Sequence, residues 1–162
     1  MEPLNNLRCP LYAARFPESD RPATRRNVTL IREHTTEIRV RYDETDPMGF
    51  VHHANYLRYM EIGRTDLLRA AGGNYREMEE QGYLVVVVKI ECRYHAPARY
   101  DDVIAVRTMV SKVTAAKIIH DYEIRRENQM LFTATVTLAV LDRHGQLQRV
   151  PAEVFERYGL TP

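Results

Sequence analysis

The chain has 162 residues, 44% of them hydrophobic and 28% charged, which is the balance of one globular domain with its own core. A formal net charge of +1 gives no electrostatic basis for nucleic acid as a main partner. No apolar run approaches the roughly 20 residues of a membrane span, the N-terminus lacks a signal-peptide pattern, and the two cysteines make no disulfide framework, so a cytoplasmic setting is expected.

Residues 1–35 differ in composition from the rest of the chain. Pro3, Pro10, Pro17 and Pro22 punctuate them, and Arg21, Arg25, Arg26 and Arg32 add positive charge. This predicts an irregular N-terminal extension ahead of one domain over residues 36–162. Ile38, Val40 and Tyr42 alternate with Glu37, Arg39 and Arg41, the pattern of a half-buried strand. Asp46-Pro47-Met48-Gly49 carries the residues of a type I turn. Asn55 is the expected N-cap of a helix whose apolar stripe runs through Tyr56, Met60, Gly63 and Leu67. Ala71-Gly72-Gly73-Asn74 ends that helix, and residues 75–81 predict a short second one.

In residues 83–95 the even positions Leu84, Val86, Val88, Ile90, Cys92 and Tyr94 are apolar or aromatic, which predicts one face in the core along its whole length, with Cys92 buried. The odd positions turn polar from Lys89 onward. Further strands are expected over residues 103–110, 117–124 and 130–140. A turn follows at Asp142–Gly145, then a short terminal helix opened by Pro151. A strand, a long helix and four more strands make an α+β arrangement, one helix against an antiparallel sheet. One helix covers only one face of such a sheet, and an unpaired sheet edge needs a partner or protection.

The chemistry concentrates ahead of the long helix. Asp46 is a carboxylate on a tight turn, just before a helix N-terminus that carries roughly half a positive charge. A carboxylate facing free backbone N–H groups suits acyl transfer, in which one group attacks or activates water and the others hold the oxyanion. Alone, such a turn is usually structural, because Asp bonds its own backbone there. Six histidines are present without metal-ligand spacing, and there is no nucleophile elbow or phosphate loop.

Two segments together resemble a known family. Tyr42, Asp46, Gly49, His53, Ala54, Asn55, Tyr56 and Glu61 match the active-site pattern of hot-dog-fold acyl-CoA thioesterases of the 4-hydroxybenzoyl-CoA thioesterase family. Within that family they are most similar to the bacterial subgroup associated with the Tol-Pal system. Tyr94-His95-Ala96-Pro97-Ala98-Arg99-Tyr100-Asp101-Asp102 resembles the family's strand-end segment. The resemblance covers roughly residues 36–158. It implies a hot-dog fold, an antiparallel five-stranded sheet wrapped on one long central helix.

It also implies a homodimer or homotetramer with sites between subunits, and no cofactor beyond the coenzyme A of substrate and product. Asp46 is then nucleophile or general base, His53 lends its backbone N–H to the thioester carbonyl, and Tyr42 either packs as a core-facing strand end or touches Asp46 or substrate. Asn55 is expected near the substrate; Glu61 matches the family's helix glutamate and reads first as a structural partner of Arg64 or a neighbouring loop, with a place near the substrate as the alternative. Arg99, Lys112 and Lys117 are either solvated surface charge or candidates for the phosphates of coenzyme A. Relatives with a basic run where this chain has Thr114-Ala115-Ala116-Lys117 differ here, which leaves an acyl carrier protein open as donor. A non-catalytic acyl-thioester-binding protein on the same fold is the other reading.

Overall fold

Period-two alternation and one helical stripe account for nearly all of the architecture. The structure, a computed structural model, describes residues 30–160. In chain order the elements are β1 (Glu33–Arg39), α1 (Asn55–Ala70), α2 (Tyr75–Glu80), β2 (Leu84–Tyr94), β3 (Val103–Val113), β4 (Ile118–Arg126), β5 (Gln129–Leu141), β6 (Leu147–Gln148) and α3 (Ala152–Arg157). A single 3₁₀ turn, Tyr42–Glu44, lies between β1 and α1. The strands form one antiparallel sheet in the order β1-β3-β4-β5-β2, with the two-residue β6 paired to β5 off this path. The expected five-stranded sheet is its main path.

β1 begins at Glu33, inside the stretch expected to be irregular, and pairs with β3 from Glu33↔Met109 to Arg39↔Val103. Arg32 is tied in as well: its carbonyl accepts from the Val110 N–H at 2.8 Å, and its Nε donates to the Tyr158 carbonyl at 2.7 Å. The remainder of the predicted extension, residues 1–29, lies outside the described residues.

α1 buries Tyr56, Met60, Gly63 and Leu67, the expected stripe, and Tyr59 beside it, against β1 and β3. Gly63 permits that approach, since a Cβ there would sit 2.5 Å from Thr108 Oγ1 and 2.9 Å from Val106 Cγ1. At the helix end the Gly72 N–H donates to the Arg69 carbonyl at 2.9 Å and Gly73 to Leu68 at 2.8 Å, with Gly72 at φ +77°. Asn55 is not the N-cap. Ala54 occupies that position without a side-chain cap, and Asn55 is the first helical residue.

β2 departs most from expectation. A bulge between Val87 and Lys89 switches the inward-facing parity, so Val85 pairs with core-facing Val140 before it and Ile90 with core-facing Val136 after it. No single parity is core along the whole strand. β2 is also an edge strand, and α1 lies over β1 and β3 instead, so its apolar residues stay open: Val88 is 60% exposed and Tyr94 48%. Cys92 is exposed for the same reason. The core itself lies between α1 and the middle strands, where Tyr59, Leu67, Ile104, Ile124, Phe132 and Leu138 are fully buried. Each such side chain contributes about 1.5–3 kcal/mol.

Candidate active site

Asp46 sits at the first position of the predicted turn, whose Gly49 N–H donates to the Asp46 carbonyl at 2.9 Å. Gly49 takes φ +77°, a left-handed conformation that glycine adopts without strain. The Asp46 carboxylate is held by its own loop. Oδ1 accepts from the Met48 N–H at 2.9 Å and from the Phe50 N–H at 3.4 Å, while the Asp46 N–H donates to the Phe50 carbonyl at 2.8 Å. The side chain is half-buried on the wall of a cleft of about 370 Å³. Phe50, Val51, His53, Tyr56 and Tyr94 share that wall with residues 95–97.

Three hydrogen bonds fix the cleft's far side. Tyr94 Oη donates to the His53 carbonyl at 3.1 Å. The Ala98 N–H donates to Tyr56 Oη at 3.2 Å, and the Ala98 carbonyl accepts from the Val51 N–H at 2.9 Å. Tyr56, Tyr94 and Phe132 pack ring against ring with centroids 5.0–5.3 Å apart. Burial raises the pKa of the Tyr56 and Tyr94 phenols, which keeps both neutral, Tyr56 Oη as an acceptor and Tyr94 Oη as a donor. The His53 N–H, at the entrance to α1, takes part in no hydrogen bond among the described residues.

A buried carboxylate supports this loop from behind. Glu44 is 6% exposed; its Oε2 accepts from Tyr59 Oη and from the Arg41 N–H, each at 2.8 Å. Its carbonyl accepts from Asn55 Nδ2 at 2.7 Å and from the His52 N–H at 2.9 Å. Asn55 therefore spends its amide on joining the turn to the helix. No expectation from the sequence fell on Glu44 or Tyr59. Their link spans 15 residues, and no local pattern encodes it.

The structure brings Asp46 and His53 to one cleft, but not every predicted residue. Tyr42 is 79% exposed and stands edge-on to Tyr100 at 5.5 Å, in a separate groove with Ile62 and Asp101. Its touching Asp46 is not seen within one chain. Glu61 pairs with Arg64 on α1. Arg99 lies near the cleft, its guanidinium 4.6 Å over the Phe50 ring. Lys112 and Lys117 are exposed at the opposite end of β3, about 30 Å along an 11-residue strand from its start near Arg99. His52 leans on His53 at 4.1 Å but is absent from the cleft wall. Among the described residues no group of three or more His, Cys, Asp or Glu is placed to hold a metal ion. No described helix is long and apolar enough to cross a membrane.

Residues 40–157 match the model of the thioesterase-like superfamily. A putative acyl-CoA thioesterase, YneP of Bacillus subtilis, is 44% identical over 54% of this chain, and the match spans 64% of that relative's length. The acyl-CoA thioesterase YbgC of Haemophilus influenzae is 38% identical over 65% of this chain and 78% of its own. Among solved structures, a probable thioesterase from Bartonella henselae superposes with a TM-score of 0.71 at 31% identity, covering 74% of this chain and 99% of that one. With its antiparallel sheet, its long helix and the turn-to-helix cleft, the chain belongs to the thioesterase-like superfamily and is a hot-dog-fold thioester hydrolase.

Proposed function

We propose that this chain hydrolyses an acyl-CoA thioester to a carboxylic acid and free coenzyme A at the Asp46 cleft. One observation carries the site assignment: a carboxylate pinned by the N–H groups of Met48 and Phe50 shares a cleft with the unpartnered His53 N–H. Asp46 either attacks the thioester carbonyl, giving a mixed anhydride that water opens, or takes a proton from the attacking water. The His53 N–H stabilises the oxyanion, a type of contact worth about 10²–10³-fold in kcat. The departing thiolate takes up a proton, so no cofactor or metal enters the balance.

The same proposal extends to assembly. The apolar edge of β2 is an unpaired strand, and pairing two such edges makes a homodimer with sites near the joint, two of which make a tetramer. Within one chain only Arg99 of the three predicted phosphate contacts lies near Asp46. Lys112 and Lys117 reach the substrate only if a second protomer brings them. An acyl carrier protein as donor, a cytoplasmic setting and a place in the Tol-Pal-associated subgroup belong to this reading too; the subgroup rests on the motif residues alone. A binding protein without hydrolysis has no chemical use for a carboxylate on the cleft wall.

Thiol release from a panel of acyl-CoAs and acyl carrier protein thioesters tests the activity. Turnover on at least one coenzyme A thioester is expected, and none on either donor class refutes it. Hydrolysis in ¹⁸O water addresses the role of Asp46, because label in its carboxylate marks the anhydride route.

A further inference from the structure

Under the C-terminal half of α1, on the helix-facing side of the sheet, lies a polar pocket that the Asp46 cleft does not use. Arg64 approaches it from α1 and His120 and Tyr122 from β4, with Thr108 of β3 the sheet partner of Tyr122; they are 6%, 3%, 2% and 0% exposed. Three of these residues hold buried atoms without a hydrogen-bond partner: Arg64 Nη1, Thr108 Oγ1 and His120 Nδ1. Arg157 Nε, from α3, is a fourth such atom. His120 and Arg157 line a cavity of about 20 Å³ together with Tyr75 and Tyr158. The rest of its wall is apolar, with Leu68, Ile118 and Leu138 among it. The Arg64 guanidinium sits 5.6 Å over the ring of Tyr75, which places its charge at this wall.

Orphaned polar atoms at this depth are uncommon, and each needs a partner. The kind of atom left over narrows the partner. Arg64 Nη1 and Arg157 Nε only donate. Thr108 Oγ1 and His120 Nδ1 each donate in one rotamer or tautomer. No carboxylate or amide oxygen among the described residues is left buried and unpartnered. Two of the four orphans can therefore only donate, and both belong to guanidinium groups, while the other two donate or accept as the occupant requires. Arg64 has an ion-pair partner in Glu61, whose side chain is 56% exposed, whereas Arg157 forms no ion pair among the described residues, so the positive charge in surplus is that of Arg157. The size admits one small occupant, since a single water needs about 10–15 Å³ on this measure.

We propose that this pocket binds one monovalent inorganic anion of halide size, held by Arg64 and Arg157 and by hydroxyls from Tyr75, Tyr122 and Tyr158. The ion ties α1, α2, β4 and α3 together behind the long helix. Burial and the neighbouring Arg64 charge hold His120 neutral, with a pKa lowered to about 3, so its imidazole meets the ion as an N–H donor without adding charge. The site is independent of the catalytic assignment.

Thermal unfolding of the full chain in sodium bromide, sodium chloride and sodium gluconate at equal ionic strength tests it. The melting temperature is expected to rise by about 3–6 °C and to saturate at millimolar halide, with no rise in gluconate. Crystals grown in bromide should give an anomalous peak between Arg64, Tyr75, His120 and Tyr158. Arg64→Met should abolish the halide dependence. Where that variant does not fold, Tyr75→Phe should shift saturation to at least threefold higher bromide while keeping the Arg64 charge. Density without anomalous signal in bromide means a water and overturns the proposal, as does an equal response to all three salts.

Discussion

Glu44→Ala tests how the cleft is held. The substitution removes the acceptor of two hydrogen bonds, from Tyr59 Oη and from the Arg41 N–H, both 2.8 Å long. Bonds to a charged acceptor contribute about 1.5–3 kcal/mol each. Part of that is offset, because the carboxylate no longer has to be buried. The Tyr59 hydroxyl, on a residue 0% exposed, is then left without a partner. The net loss should be about 2–4 kcal/mol, or roughly 5–15 °C in melting temperature for a chain of this size. Glu44→Gln keeps an acceptor oxygen and should lose about 1 kcal/mol. A double-mutant cycle with Tyr59→Phe should return a coupling of about 1–2 kcal/mol. Turnover by Glu44→Ala should fall about tenfold, because the Glu44 carbonyl holds Asn55 and His52, and a loosened turn misplaces Asp46. Denaturant melts and steady-state kinetics on the purified variants measure both effects. A Glu44→Ala protein within about 0.5 kcal/mol of wild type, the range of ordinary surface changes, would refute this account of the loop.

Tyr42→Phe should change kcat/KM by less than about threefold, since the phenol stands outside the Asp46 cleft within one chain and removes at most one hydrogen bond; a large loss would mean that a second protomer brings it to the site. In halide-free buffer, lowering the pH from 7.5 to 5.5 should cost about 1.4 kcal/mol through His120 alone. Its folded pKa of about 3 lies below its ordinary 6.5, so the unfolded chain binds the extra proton in that window and stability falls as pH falls. His120→Gln should remove that part of the slope in melts at the two pH values. Deleting residues 1–29 should leave kcat/KM and oligomer mass unchanged, because among the described residues the cleft is lined within residues 46–97. The cut must spare Arg32, which bonds Val110 and Tyr158. A correctly assembled truncation without hydrolysis would show that the deleted segment serves the site.

What the sequence made legible was periodic or local. The α1 stripe, the alternation of Phe132, Ala134 and Val136 in β5, and the Asp46–Gly49 turn each follow from residues a few positions apart. What it hid depends on contacts between distant segments. The bulge at Val88 changed which side chains of β2 face inward, and a run of four valines, Val85 to Val88, carries no periodic mark of it. Cys92 looked buried because the alternation reads the same on an edge strand as on a central one. Asn55 has the residue type of a cap, but its amide meets the Glu44 carbonyl 11 residues away. The Arg64–His120 pocket joins separate elements, and in each of them the polar residue reads as an isolated interruption of an apolar face.

The most direct measurement is turnover by Asp46→Asn on the best acyl-CoA substrate, alongside its circular dichroism spectrum and oligomer mass. Asn keeps the size of the side chain and an oxygen for the Met48 and Phe50 N–H groups, so fold and assembly should be unchanged. It cannot act as nucleophile or base, so kcat should fall by at least about 10²–10⁴-fold. A folded, correctly assembled Asp46→Asn protein with near wild-type kcat would contradict the assignment of Asp46 as the catalytic carboxylate.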